Sequence, residues 1–466
     1  MTAHVTLAPL DAFARVSAEG WERARTETID HLQRLIRIRT VNPPGDEIHV
    51  ANYLAGVFRD CGIATQLFEP SPGRAALIAR IAGDGSRQPV ILLAHMDTVN
   101  VEAGHWTTDP FGGEIREGYL YGRGAIDDKG MLAANLMTML LLKRHVVDAG
   151  VALSRDVIFV ATSDEEAGGA WGMDWLVRNH PELVRGEFAL NEGGRTRIVG
   201  GRPLYVAVQS AEKVSHVVTI LARGPGGHAA VPLEGNALTR LGRALAAVAA
   251  TREPMCLTPV TREFFSALSA VWPDPAEAQA MSDVVSGEGE REQRGSRVLA
   301  GVPVLDAVLR NGVSPVMLQA GQRHNVIPTE ASALLNVRTL PGQDVEQVVE
   351  RLRRAIADPQ VELSVTERGE DAPASDFASP MFAAIRESVR ALDPSLTVVP
   401  YLSTGATDSA RLRRWGMQAF GILPFPMEQG DEDRMHGNDE RIPLTALHFG
   451  TQLIFGAIAR VAATRA

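Results

Sequence analysis

The hydrophobic and polar positions of this chain switch repeatedly between a helical period and an extended one. Over residues 21–38 the apolar Ile29, Leu32, Leu35 and Ile36 share one stripe, which predicts an amphipathic helix. Thr40-Val41-Asn42-Pro43-Pro44-Gly45 breaks it, and a second helix is expected over 47–60. Extended runs follow at 64–68 and 76–81. Val90-Ile91-Leu92-Leu93-Ala94 is apolar throughout, and it predicts a buried strand. A helix over 131–147, a buried strand over 157–161 and a short strand at 188–190 continue the series. Strands alternating with helices, each closing in acids, histidine or glycine, predict a doubly wound α/β domain with a mixed sheet.

The pattern changes near Glu212. Residues 215–221 alternate as a half-exposed strand, 223–228 form a Gly-rich turn, and 236–250 predict an Ala/Leu-rich helix. Later strands at 332–337 and 361–366 flank a helix over 344–357. That order predicts a small α+β domain of ferredoxin-like type over 212–368, inserted into a discontinuous domain of 1–211 and 369–466. Between its halves, about 251–315 is a long insertion that reads equally as a lid or as a solvated excursion. From Ala372 the α/β pattern resumes and ends in a helix over 443–462.

Composition narrows the possible partners. The chain has 466 residues, 45% hydrophobic, with a net charge of -10 and no long basic run, which argues against nucleic acid and anionic membranes. Its two cysteines, Cys61 and Cys256, lack metal-ligand spacing and fit a reducing compartment. Residues 1–30 show no basic-then-apolar leader and no run reaches membrane-spanning length, so a cytoplasmic protein is expected.

The chemistry concentrates at strand ends. The run from Val90 delivers His95-Met96-Asp97 where open α/β sheets place ligands. Alternation puts His95 and Asp97 on one side, where a carboxylate can fix the tautomer of a metal-bound imidazole. Asp127-Asp128 precedes a helix and either caps it or supplies a ligand. With Glu165-Glu166, Glu192 and Met435-His436-Gly437 downstream, five of these residues can build two three-ligand sites sharing Asp127. Each site then has one imidazole and one further carboxylate, a set that suits zinc, and cobalt or manganese less selectively. Of the adjacent Glu165 and Glu166, one can ligate while the other shuttles a proton.

The ordered pieces HMDTV, WTTDPFGG…LYGRGAIDDKG, SDEEAGG, NEGG, GGHAAVP, HNVIP and MHGNDE resemble one family across nearly the whole chain. It is the family of di-zinc metallopeptidases containing aminoacylase, acetylornithine deacetylase, succinyl-diaminopimelate desuccinylase and glutamate carboxypeptidase. The resemblance implies one metal on His95, Asp127 and Glu192 and another on Asp127, Glu166 and His436. It makes Glu165 the catalytic base and Asp97 the partner that orients His95. It also implies a cis peptide at Asp127-Asp128, and a lid over 212–368 that dimerises and extends His228 towards the neighbour's metals. Two positions depart from the family's pattern, Asn336 before Arg338 and Asn191 before Glu192. The 251–315 insertion is similar to the branch with carboxypeptidase S and long-chain N-acyl-amino-acid hydrolases.

Arg338, with Asn325, is the candidate for binding a substrate carboxylate, which a planar guanidinium suits. Gly405-Ala406-Thr407-Asp408 reads either as a helix cap or as the loop under that carboxylate. His4, His31, His49, His105, His145, His180, His216, His324 and His448 read as structural or solvated. The expected activity is metal-dependent hydrolysis of an amide next to a free carboxylate, by an exopeptidase or an N-acyl-amino-acid deacylase. The substrate would be a small peptide or N-acyl amino acid and the protein a homodimer. The alternatives are a ureide (allantoate-type) amidohydrolase and a non-catalytic binding protein, the latter requiring a damaged ligand set.

Overall fold

Residues 13–463 are described by a computed structural model; His4 lies outside them. The apolar run becomes strand Val90–His95, buried at every position. It runs parallel to Val157–Thr162 on one side and to Phe188–Asn191 on the other, and Phe188–Asn191 is parallel to Gln418–Gly421. Val90, Leu92 and Ala94 face one apolar layer with Met131, Leu136 and Leu453, whereas Ile91 and Leu93 face another with Met173, Leu176 and Leu412. Because helices cover both faces, the alternation expected of a half-exposed strand vanishes. Antiparallel strands Arg74–Ile81 and Ala64–Ser71 extend this ten-stranded sheet and make it mixed, as expected. Arg195–Val199 and Arg202–Glu212 form a hairpin that the sequence pattern does not show. Buried Gln209 and Ser210 interrupt the apolar run there.

Helix Ala18–Arg37 starts at Ser17, whose side chain accepts from Gly20 N, and buries Thr28, Leu32, Leu35 and Ile36. Its C-terminal carbonyls meet buried Lys129, whose Nζ donates to Leu35 O at 3.0 Å and Ile38 O at 2.7 Å. Helix Lys129–Leu142 is buried along its whole length, and the turn expected to continue it widens into a π-helix at Lys143–Val147. One expectation fails on the described residues. Helix Leu444–Ala462 is long and apolar enough to cross a membrane by length and composition. It packs against Lys129–Leu142 and Pro380–Leu392 with 67% of its apolar window buried, because a helix inside a protein core is apolar on nearly all sides.

The chain divides into two compact units: residues up to Ser210 with Ala374–Tyr401 and those from Thr407, and Ala211–Pro373 with Leu402–Ala406. The second has a four-stranded antiparallel sheet in the order Gly312–Ala320, Glu330–Thr339, Val214–Arg223, Val361–Glu367. Helices Ala237–Ala250 and Val345–Ile356 bury Leu241, Val248, Val348 and Leu352 against one face. Within the 251–315 insertion the chain forms four helices, Pro259–Ser269, Pro275–Val284, Gly289–Leu299 and Pro303–Ala307. Buried Phe265, Met281 and Leu299 hold this insert together, with Asp283 paired to Arg291 and Arg294.

The half-exposed pattern over 215–221 does not mark an unpaired edge. Val214–Arg223 is central and bonded on both sides, and its alternation reflects a sheet with one face open. The exposed edge is Gly312–Ala320, where Val316, Met317 and Leu318 are 57%, 64% and 68% exposed.

Candidate metal centre

Three parallel strands bring acids and an imidazole to their C-terminal ends. His95 closes Val90–His95, Glu165 and Glu166 follow Val157–Thr162, and Glu192 follows Phe188–Asn191. At Glu192-Gly193-Gly194 the chain turns tightly, with Gly193 at φ +119°. A Cβ on Gly194 would stand 2.2 Å from Ala207 O, so only glycine fits.

Asp127 arrives from the loop before Lys129–Leu142, across a cis Asp127-Asp128 peptide. Its carboxylate divides between two imidazoles. Oδ1 lies 3.0 Å from His95 Nε2, and Oδ2 lies 2.9 Å from His436 Nε2. His436, at φ +60°, also places Nε2 3.1 Å from Glu166 Oε1. Two groups thus have donor atoms within 4.8 Å of one another, His95–Asp127–Glu192 and Asp127–Glu166–His436. Glu165 belongs to neither. Asp128 does not cap the helix with its side chain; its Oδ2 accepts from His95 N at 3.2 Å.

Asp97 does more than orient a ring. His95 Nδ1 lies 3.0 Å from Asp97 main-chain O and 3.4 Å from Oδ1, so the main chain makes the closer contact. The Asp97 carboxylate also accepts from Glu165 N and Glu166 N, each at 3.1 Å. One buried acid therefore ties the His95 strand to the Glu165–Glu166 turn.

The charges fit a divalent pair. Burial opposes ionisation of Asp127, yet hydrogen bonds from His436 and His95 hold it well below the usual carboxylate range. Hydrogen bonds to Asp127 and Glu166 push His436 up to about 10. Burial raises Glu165 well above its ordinary value, with Asp408, Asp127 and Glu166 adding to it. Glu192 is raised likewise by burial, then by Asp127 and Glu165. Buried acids crowded this closely need more positive charge than two imidazoles supply, and their oxygen and nitrogen donors suit cations such as zinc.

The other candidates divide between the units. Thr407 lies in the first, where its Oγ1 accepts from Ser409 N at 3.2 Å as a helix cap. Gly405, in the second, donates its N–H to Ser403 Oγ. In the second unit, Gly227–His228 pairs with Val326–Ile327, and Ala229 N donates to Asn325 O, so His228 and Asn325 stand side by side. His228 Nδ1 accepts from Ala230 N at 3.1 Å, which leaves Nε2 to carry the proton outward. Arg338 is not near them. It lies eight residues along strand Glu330–Thr339 from Glu330, roughly 27 Å at the usual rise. Its Nε donates to Asn336 Oδ1, and Nη1 is buried without a protein partner.

The sequence profile of Peptidase family M20/M25/M40 matches residues 91–460. The chain belongs to this family. It is accordingly a metal-dependent hydrolase of peptide or N-acyl amide bonds, on a fold that carries the two ligand groups above. It is 28% identical over 375 residues to "Probable carboxypeptidase S-like 2" of Dictyostelium discoideum, covering 78% of this chain and 69% of the relative. Aminoacylase-1 of Homo sapiens is 26% identical, with 88% and 89% covered. The human N-fatty-acyl-amino acid synthase/hydrolase is 27% identical, with 80% and 74% covered. Among solved structures, human carnosine dipeptidase 1 superposes with TM-score 0.69 at 16% identity, covering 97% and 99%, which speaks for the fold.

In this M20 chain the sequence reading passed over Glu440 as a separate site residue. Its fully buried carboxylate accepts from Arg123 Nη1 at 2.6 Å and from the backbone N–H of Gly124, Ile126 and Asp127 at 3.0, 2.7 and 3.1 Å. It therefore shapes the loop that presents Asp127. The available signal was an acid four residues after His436, just before an apolar helix. Glu440→Gln strands the buried Arg123 charge and should cost about 3–5 kcal/mol of stability. Urea unfolding in the presence of EDTA measures this; an unchanged midpoint would leave Glu440 without that role.

Proposed function

We propose that this protein removes an acyl or aminoacyl group from an amino acid bearing a free carboxylate, with two zinc ions at the His95–Asp127–Glu192 and Asp127–Glu166–His436 groups. The observation that carries the proposal is the split Asp127 carboxylate, with Glu165 beside both groups and in neither. Zinc held there would supply an acidified water, with pKa about 7, and would polarise an amide carbonyl. Glu165 takes the proton of that water and returns it to the leaving amine nitrogen. Its backbone is held by Asp97, so the carboxylate is presented from a fixed turn. His228 donates from Nε2 to the developing oxyanion, and Asn325 stands beside it. Arg338 is the proposed holder of the substrate carboxylate, which a planar guanidinium suits, and Gly405 and Thr407 are proposed as further contacts to it.

The names of the relatives favour amides over ureides, and the complete ligand set disfavours a mere binding protein. Two free cysteines accord with the cytoplasmic location we propose. Zinc-loaded protein should hydrolyse N-acyl amino acids of graded chain length, or dipeptides, and leave allantoate intact. Turnover of ureides alone would overturn the substrate class.

We further propose a homodimer in which each site is completed by its neighbour. His228 and Asn325 belong to the small ribbon of Gly227–His228 and Val326–Ile327, whereas Arg338 lies near the far end of strand Glu330–Thr339, a run of roughly 27 Å from Glu330 that favours their serving different copies of the site. The apolar edge Gly312–Ala320 offers unpaired strand groups that a two-fold partner would cover. Glu165→Ala and His228→Ala chains, each nearly inactive, are refolded together. Random pairing makes half the dimers mixed, each with one intact site of two, so activity should return to about a quarter of wild type. Mixed dimers verified by mass but without activity would sink the exchange.

A further inference from the structure

Residues 40–42 run alongside the turn that carries His95 and Asp97. Val41 bridges in parallel to Thr98, Asn42 N donates to Thr98 O at 2.9 Å, and Thr98 N donates to Thr40 O at 2.9 Å. Thr40 Oγ1 donates to Met96 O at 2.6 Å. The Asn42 side chain is thereby delivered to the carboxylate of Asp97, with Nδ2 2.8 Å from Oδ2 and 3.2 Å from Asp164 Oδ1. On its other side, Asn42 Oδ1 accepts from Arg74 Nη2 at 2.6 Å. Arg74 in turn donates Nη1 to Glu47 Oε1 at 2.6 Å and stands 3.5 Å from Asp164. Glu47, Asp97 and Asp164 are buried, as is Asn42.

The chemistry of the three groups leaves one arrangement. A guanidinium only donates and a carboxylate only accepts, so the amide between them must turn its oxygen to Arg74 and its nitrogen to Asp97. Asn42 is the adapter between a cation and two acids in a low-dielectric interior, where each hydrogen bond is stronger and each lost partner costs more. Among the described residues, the polar neighbours of the Asp97 carboxylate include His95 Nδ1, Glu165 N, Glu166 N and Asn42 Nδ2. Of these four, only Asn42 lies outside the ligand-bearing segments themselves.

We propose that Asn42, oriented by Arg74, is a positioning residue that fixes the Asp97 carboxylate and, through it, both His95 and the Glu165–Glu166 turn. The inference rests on the reading of His95 and Glu166 as metal ligands and Glu165 as base. Loss of a group bonded directly to a ligand costs about 10–100-fold in metal affinity or activity; Asn42 acts one contact further back, through Asp97, so Asn42→Ala is expected at the lower end, about 10-fold. The KM for substrate should hold while kcat falls, because substrate contacts are made by other residues.

An isosteric variant separates positioning from packing. Asn42→Asp keeps the size of the side chain but faces Asp97 and Asp164 with a third carboxylate. A residue that merely fills space would tolerate Asp better than Ala; the network requires the reverse. Zinc affinity is read by competition with a chromophoric chelator, and kcat and KM with N-acetylmethionine, on wild type, Asn42→Ala, Asn42→Asp and Arg74→Met. The expected order of zinc affinity is wild type, Arg74→Met, Asn42→Ala, Asn42→Asp. If Asn42→Ala does not fold, Arg74→Met carries the test, with weaker zinc binding and lower kcat at unchanged KM. Wild type that binds zinc, with variants of equal affinity and kcat or with Asp better than Ala, overturns the network alone. Wild type that binds no divalent ion overturns the metal site and the network with it.

Discussion

Asp127→Ala should abolish turnover and strip the protein of both ions. Most single ligand losses spare one of the two groups, but Asp127 is common to both, through Oδ1 beside His95 and Oδ2 beside His436. Its removal leaves each group with one imidazole and one carboxylate, too few donors for a tightly held divalent ion. Elemental analysis of wild type purified without chelator should give about two ions per chain, and the variant near zero. Thermal unfolding provides a second reading. An ion that binds only the folded state adds RT ln(1 + [L]/Kd), so zinc at 100 times its Kd stabilises wild type by about 2.7 kcal/mol. Added zinc should raise the wild-type Tm and leave that of Asp127→Ala unmoved. Full activity of wild type in excess EDTA would end the metal assignment.

Glu165→Gln and Glu166→Gln should part company although the residues are adjacent. Glu165 lies in neither ligand group, so its amide variant should keep its metal while kcat falls by roughly 10²–10⁴, the worth of a general base. Glu166 Oε1 faces His436 Nε2 at 3.1 Å, and its amide variant should lose metal from one group together with rate. The backbone N–H of both residues bonds to Asp97, so neither substitution disturbs the turn and the comparison is clean. Metal loss in Glu165→Gln with retention in Glu166→Gln would show the pair assigned the wrong way round.

The places where sequence and structure part follow from distance along the chain. Val90–Ala94 was legible as a buried strand because a segment covered on both faces must be apolar throughout. The hairpin Arg195–Val199 and Arg202–Glu212 was not, since buried Gln209 and Ser210 break its apolar pattern. The half-exposed alternation over 215–221 was legible, but its meaning was not: alternation reports a sheet face, while an edge depends on which strands pair. Leu444–Ala462 shows the same limit, because a helix wrapped by protein carries the same apolar residues as one wrapped by lipid.

What the sequence by itself determined is the inventory and its local setting. It placed His95, Glu165, Glu166 and Glu192 at strand ends, put Asp127 before a helix, and set the motifs in the order of a family to which the chain belongs. Spacing and periodicity suffice there because each depends on neighbours a few residues away. The tertiary structure decided which atoms meet. It divided the Asp127 carboxylate between two imidazoles, turned Asp128 onto His95 N, and closed Glu440 around the loop that carries Asp127. It brought Asn42 and Arg74 behind Asp97, and set His228 in a two-stranded ribbon apart from the four-stranded sheet that carries Arg338. Glu440 and Asp127 are 313 residues apart, and only packing of the intervening chain brings such groups to hydrogen-bonding distance.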